Sequence, residues 1–331
     1  MDQLTQRTPP LWKLKLKPSR GAGLLEIKSP DGASSKLTVE WLKSLDPKDV
    51  STSVDRFRQS NTHDLLVAAP FLSPRTREKL AEAQTSYADL TGNTRVALSK
   101  PALFIETVGA TKNPRRENRP LRSLKGPAAA KVIRAVCDFH PPYGVRELAS
   151  RIQASPASIS RVLNLLDKEA IVEKDFRGKI LNVDWQALIR AWVNTYNVFT
   201  SNRSLSLLEP RGLPALLEKL KRSKQRYSIT GSFAASRRAV VAPPRLLLVY
   251  VDSPEDVAKN LSLQPAETGQ NVIFLEPFDP VVFERIWKND GLTFANPSQV
   301  VPDLLTSPGR GPAEAEKLME WMKDNENAWR S

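Results

Sequence analysis

The stretch from Val145 to Asn164 constrains this chain more than any other, because its apolar spacing fits two short helices meeting at a sharp corner. Such a pair needs apolar side chains where the helices face each other and a small residue at the closest approach. Leu148, Ile152, Ile159 and Val162 meet the first need and Ala149 the second. Ala154 and Ser155 form the corner, with Ser155 placed to cap the second helix and Pro156 in its first turn, where no backbone donor is missed. That helix, expected over 156–169, buries Ile159, Val162, Leu163 and Leu166 at steps of three and four. Ser158, Arg161, Asn164 and Lys168 are left outward, with Ser160 in their midst. This small, polar, basic face suits a major groove.

The flanks extend the pattern. Ile171 to Lys174 and Lys179 to Val183 read as two strands joined through Arg177-Gly178, a hairpin over 171–183 that carries Lys174, Arg177 and Lys179. Pro127 to Phe139 reads as a helix whose Val132, Ile133, Val136 and Cys137 close a three-helix core. In these residues the chain resembles the winged helix-turn-helix of IclR-type transcription regulators. The resemblance implies that the helix from Pro156 reads the major groove and the wing touches backbone; the departure is Gln153, where many members turn on glycine. Arg161 and Asn164 are the expected readers of base edges, since Arg pairs with guanine and Asn with adenine. Ser158 bonds base or phosphate, Ser160 completes the DNA-binding set, and Lys168, Lys174, Arg177 and Lys179 are expected on phosphate. A module of this shape can instead dock protein, which leaves a scaffold as a further reading.

Length and composition bound the rest. A chain of 331 residues suggests two or three domains, each with its own core. No window approaches the roughly 18 uninterrupted apolar residues of a membrane span, and Met1 to Thr8 lacks a signal-peptide apolar region, so a cytosolic protein without membrane contact is expected. One cysteine, Cys137, with only His63 and His140 beside it, leaves no internal disulfide and no cysteine–histidine zinc site; no metal or cofactor is expected. The net charge of +13 is uneven: +8 over residues 1–122, +3 over 123–185, +8 over 186–240 and −6 over 241–331. Cationic regions far from any pocket suit an extended phosphate lattice better than a small substrate.

Residues 1–110 read as a small α/β domain. Lys13, Lys15 and Lys17 alternate with Leu14 and Leu16 as a flexible arm or a first strand; Leu24 to Lys28 is a strand and Thr38 to Leu45 a short helix. Asp64 to Ala69 is a buried strand, Ser73 to Ala83 a helix with Pro74 in its first turn, and strands follow through Val96 and from Ala102 to Val108. Glu26-Ile27-Lys28 with Asp64, Asp89 and Glu106 invites comparison with Mg²⁺-dependent nucleases of the restriction-enzyme fold, whose carboxylates fix the metal. The order of these residues departs from that pattern, so a degenerate restriction-endonuclease-like or similar domain is expected, with a nucleic-acid-cleaving enzyme as the alternative. Residues 111–124 form a basic linker in which Arg115 and Arg116 are expected along phosphate or in a minor groove.

After the winged module, 125–184, residues 185–224 read as a helical connector: Trp185 to Phe199 with an aromatic face, then Leu213 to Lys224 with Lys219, Lys221, Arg222 and Lys224, followed by Arg226. With Arg237 and Arg238 these cations are candidates to extend a DNA footprint. Residues 225–331 read as a second α/β domain, with strands at Tyr227 to Thr230, Arg245 to Val251 and Asn271 to Leu275. Its expected helices are Pro254 to Leu261, capped by Ser253, then Val281 to Trp287, and Pro312 to Met322. Gly231-Ser232 lacks the two alternating carboxylates that nucleotidyl transfer needs, since Val249 to Pro254 offers only Asp252 and Asp256 lies on the next helix.

Tyr227 to Ala235, Asn271 to Phe278, Phe294 to Gln299, and Asp303 through Glu316 look like the C-terminal part of abortive-infection type IV antitoxins of the AbiEi kind. That resemblance implies an antitoxin that represses its own operon through the winged domain and opposes a nucleotidyltransferase toxin through the C-terminal one. The chain departs from it by placing some 120 residues ahead of the module. Double-stranded DNA is the expected partner, with such a toxin and a second copy of the chain as further ones.

Overall fold

The computed structural model is a mixed α/β protein and describes residues 2–18, 22–60, 63–114 and 124–331. Two compact units emerge, one of residues 1–120 with 167–170, the other of residues 121–166 with 171–331.

The first unit begins with a short helix α1 (Asp2–Arg7) and is built on seven strands in sequential order: β1 (Lys13–Pro18), β2 (Ala22–Lys28), β3 (Ser34–Trp41), β4 (Asp64–Ala69), β5 (Ser86–Asp89), β6 (Thr94–Leu98) and β7 (Leu103–Thr107). Helices α2 (Val50–Ser60) and α3 (Pro74–Glu82) make the crossovers that leave β3, β4 and β5 parallel; the remaining pairs are antiparallel. Side chains alternate across the sheet. Leu25, Ile27, Leu37, Val39, Leu66 and Val96 share one apolar side with Leu4 of α1. Leu65, Val67 and Tyr87 face the opposite way, against Val50, Val54 and Phe57 of α2 and Leu80 of α3.

Two sequence expectations fail here. The segment from Thr38 is strand, not helix, because Leu37 and Val39 alternate with Lys36, Thr38 and Glu40 at period two and pair with β2. Helix α2, absent from the sequence reading, carries Val50, Val54 and Phe57 at steps of four and three. The start of α3 is as expected, with Ser73 Oγ accepting from Thr76 N at 3.1 Å and Pro74 in the first turn.

In the second unit α4 (Pro127–Asp138), α5 (Val145–Ile152) and α6 (Pro156–Lys168, its last two residues falling to the first unit) precede the hairpin β8 (Val172–Lys174) and β9 (Ile180–Val183). Tyr143 bridges antiparallel to Ile180 and adds a one-residue partner to β9. There follow α7 (Trp185–Trp192), α8 (Val198–Ser201), β10 (Arg203–Leu208), α9 (Leu213–Arg222), β11 (Tyr227–Thr230), α10 (Gly231–Ala235), β12 (Leu247–Val251) and α11 (Pro254–Asn260). The chain ends with β13 (Gln264–Pro265), β14 (Val272–Glu276), β15 (Trp287–Asn289), β16 (Leu292–Phe294), α12 (Pro297–Leu305) and α13 (Gly311–Asp324). Seven of these strands form one sheet in the order β13-β10-β14-β12-β11-β16-β15.

Residues 185–224 are therefore not a helical connector. Leu205 and Leu207 alternate with serines in β10, which pairs antiparallel with β14 inside the sheet, and the helix expected over Trp185 to Phe199 breaks into α7 and α8. Trp185, Leu188, Ile189 and Trp192 join a continuous core that runs from Leu124 to Trp329, so the helix-and-hairpin module and the second sheet share one interior. The helix expected over Val281 to Trp287 is a single turn, Pro280–Phe283, followed by β15. Asp290 and Gly291, at φ of 49° and 71°, close a two-residue hairpin between β15 and β16, for which Asp-Gly is a preferred pair. Ser253 does not cap α11; its hydroxyl donates to the Asp256 carboxylate at 2.7 Å.

Candidate nucleic-acid interface

The interface residues are set by how α5 and α6 are joined. α5 ends at Gln153 in the left-handed conformation, φ 49° and ψ 50°, and the chain turns there before Ala154 and Ser155. A side chain costs roughly 1 to 2 kcal/mol in that conformation, and the surrounding packing holds it. Ser155 Oγ accepts from Ser158 N at 3.2 Å and caps α6, as its position suggested. Ile159, Leu163 and Leu166 anchor the inner face of α6 in the core, with Val162 only half-buried beside them.

The outward stripe of α6 is Ala157, Arg161, Asn164 and Lys168, all exposed and spaced four, three and four apart. Arg161 and Lys168 have no hydrogen bond or ion pair among the described residues. Asn164 is tied to the hairpin, its Oδ1 accepting from Lys174 Nζ at 3.0 Å. Lys174 thus orients Asn164 and is not a free phosphate contact, while the Asn164 amide keeps both donors and one acceptor lone pair. Ser158 corrects the expectation in part: it is half-buried, and its hydroxyl is paired with Ser155 Oγ at 2.8 Å within the cap. Ser160 is half-buried and flanks the stripe.

The hairpin turn is organised by Asp175, whose Oδ1 accepts from Arg177 N and Lys179 N, both at 2.8 Å. Gly178 adopts φ +80°, a conformation that admits glycine without strain. The turn lifts Phe176 into solvent, 90% exposed, with the Arg177 guanidinium 5.0 Å from its ring centroid; Lys179 is exposed beside them. Sequence reading missed Phe176, although a large apolar residue between Asp175 and Arg177-Gly178 in a tight turn has nothing to pack against. Ala157 was missed because alanine signals neither face. Arg115 and Arg116 lie outside the described residues.

Behind this surface α4 is tied to α12 by a largely buried polar network. Arg134 donates to Ser298 Oγ at 3.0 Å, Gln299 Oε1 at 2.9 Å and Asp138 Oδ2 at 3.3 Å. Asp138 also accepts from Arg285 Nε at 2.5 Å and from the Ser298 hydroxyl. Gln299 in turn donates to Asp303, whose carboxylate takes further bonds from Tyr196, Tyr250 and Thr230. Burial pushes the Asp303 carboxyl up to about 6, against the hydrogen bonds that lower it, and burial raises the Tyr196 and Tyr250 hydroxyls well above their usual range. Through these bonds Ser298 and Gln299 tie α12 to α4, and Asp303 ties it to Tyr196, Tyr250 and Thr230.

Most cations of residues 186–240 do not extend the interface. Lys219 pairs with Glu209, Lys221 with Glu218 and Asp290, and Arg226 with Asp252. Arg238 lies between the rings of Trp287 and Trp321, at 4.2 and 4.9 Å, and Arg237 lies over Phe233. The carboxylates considered for Mg²⁺ are not brought together either. Asp89 is buried and receives Leu72 N, Thr91 N and Oγ1, and Asn93 N and Nδ2, which fill its lone pairs with contacts from its own turn and from the start of the β4–β5 crossover. Glu26 sits in register between Lys15 and Lys36, and Glu106 pairs with Arg95 at 3.3 Å. Among the described residues no group of three or more His, Cys, Asp or Glu is placed to hold a metal ion. No helix among them is long and apolar enough to cross a membrane.

No family profile, curated protein or solved structure matches this chain.

Proposed function

We propose that the chain is a sequence-specific binder of double-stranded DNA that regulates transcription, reading the major groove with α6 and gripping the backbone with the β8–β9 wing. The observation that carries this reading is the outward stripe of α6. Arg161 and Asn164 stand exposed on a helix whose opposite side is fixed in the core by Ile159, Leu163 and Leu166, so rigid placement and free donors coincide. Arg161 offers a bidentate donor fork to guanine, Asn164 a donor and acceptor to adenine, and Ala157 a methyl for thymine. Lys168, Arg177 and Lys179 supply phosphate contacts, and Phe176 at the wing tip is an apolar contact for sugar or an opened base step. The resemblance to type IV antitoxins supports autoregulation in the cytosol, with a nucleotidyltransferase toxin and a second copy as partners. It rests on the quoted segments of residues 227–316.

Selection of a preferred duplex from a random library, followed by Arg161→Ala and Asn164→Ala in one chain, tests the assignment. Each lost base contact removes roughly 1 to 3 kcal/mol of discrimination, and the preference at those base pairs relaxes. Unchanged affinity and unchanged preference refute it.

A further inference from the structure

The three antiparallel strands β1, β2 and β3 sort their side chains to opposite sides of the sheet. Leu14, Leu16, Leu25, Ile27, Leu37 and Val39 turn to the apolar side. Lys13, Lys15, Lys17, Lys28 and Lys36 turn to the other, all exposed and none with a partner among the described residues. Register places Lys13 directly opposite Lys28 and sets Glu26 between Lys15 and Lys36. Helices α2 and α3 pack over β4 and β5 on this side, and the five lysines lie beyond their cover.

This arrangement costs the sheet something. Like charges directly opposite in an antiparallel pair destabilise it. Lysines on an edge strand guard against pairing with another chain, which accounts for β1. It does not account for Lys28 and Lys36, which lie on strands flanked on both edges. The charges repeat every two residues along β1, about 7 Å, on strands about 4.8 Å apart, an extended lattice and not a pocket for one small anion. No aromatic residue shares the lysine side of these strands, so the amphipathic anchors of a membrane surface are missing.

We propose that the lysine side of β1, β2 and β3 is a second DNA-binding surface, which takes the sugar–phosphate backbone of a duplex without reading its sequence. It is separate from the stripe on α6 and does not depend on it.

The test uses the full chain and a duplex of about 30 base pairs with no preferred site, titrated by fluorescence anisotropy between about 50 and 250 mM KCl. One variant carries K13Q, K15Q, K17Q, K28Q and K36Q; a charge-matched control carries K43Q, K100Q, K259Q, K288Q and K323Q. The first is expected to lower the slope of log affinity against log salt by about 2 to 4, and to bind at least about tenfold more weakly at the lowest salt; the control lowers the slope by less than about 1. Equal effects of the two variants overturn the proposal. So does a loss confined to phosphatidylserine vesicles with duplex binding intact. Lysine acetylation of the unsubstituted protein, with and without duplex, gives an answer independent of any variant: protection of the five lysines supports the surface, and unchanged labelling refutes it. Because the duplex carries no preferred site, failure of base reading by Arg161 and Asn164 leaves these results unaffected.

Discussion

Asp303→Asn isolates the energetic consequence of burying a carboxyl in the lock between α4 and α12. In the folded chain burial holds Asp303 at about 6 against an ordinary value of 3.8, so the fold prefers the protonated form. Stability from this group is therefore complete below about pH 4, is lost as pH rises through 6, and is flat above. At about 1.4 kcal/mol per tenfold in proton affinity, the difference between 6 and 3.8 is worth about 3 kcal/mol. Asparagine removes the titration while fitting the site. Its Oδ1 still accepts from Tyr196 and Gln299, and its amide finds the Tyr250 and Thr230 hydroxyls, which rotate to accept. Urea unfolding of both proteins from pH 4 to 7.5, followed by tryptophan fluorescence, measures the gap. Trp185, Trp192, Trp287, Trp321 and Trp329 all lie in the second unit, so the signal reports mainly on the unit that holds Asp303. Relative to the asparagine variant, the native protein loses about 2 kcal/mol over this range, since at pH 4 the unfolded carboxyl is already more than half ionised. A gap constant to within about 1 kcal/mol refutes the assignment of a raised, buried carboxyl.

Three further substitutions probe the second unit. Gln153→Gly relieves the left-handed strain at the corner but frees the unfolded chain, for a net gain of about 0.5 to 1 kcal/mol; a lower urea midpoint shows that the Gln153 side chain contributes packing that outweighs its strain. Arg134→Met leaves Asp138 buried with fewer donors and is expected to cost about 3 to 5 kcal/mol, whereas the exposed Arg161→Ala changes stability by less than about 0.5. Equal unfolding midpoints for these two variants contradict the role given to Arg134.

What was legible in the sequence was local and periodic. The two helices around Gln153, the hairpin at Gly178 and the strands at Tyr227 and Asn271 announce themselves through spacing, caps and glycine, and they stand within a residue or two of where those signals put them. The reading failed where residue preference competes with pattern. Thr38 to Leu45 contains residues that also suit a helix, and only pairing with β2 shows the period of two. Asp290-Gly291 marks a hairpin turn, while the apolar spacing of Val281 to Trp287 just before it also suits a helix. The buried network was not readable at all, because Arg134 and Ser298 are 164 positions apart and nothing local marks an arginine for the interior. The stripe on α6 was legible by its 3.6-residue period, yet the tie between Asn164 and Lys174 depends on a hairpin position that periodicity does not encode.

Charge alone does not distinguish a solvated face from a binding surface, but the pairing of charges does. Beyond the module, the cations of the second unit are largely matched: Arg190 with Glu316, Arg203 with Glu255 and Glu276, Arg226 with Asp252, and Arg310 with Glu314. Such pairs lower the local field and tie down side chains. In the module and its wing, Arg161, Lys168, Arg177 and Lys179 have no acidic partner among the described residues. Nearby acids do exist. Asp175 spends its carboxylate on the backbone of the turn, and Glu147 is held by Arg151 on α5. Asp175 and Glu147 are thus committed to shaping the module, and Glu173 stands exposed on β8 without neutralising any of these four cations. On the proposed reading, a polyanion arriving there displaces only water and small ions, with no intramolecular ion pair to break, so the +3 of residues 123–185 counts for more than the +8 of residues 186–240.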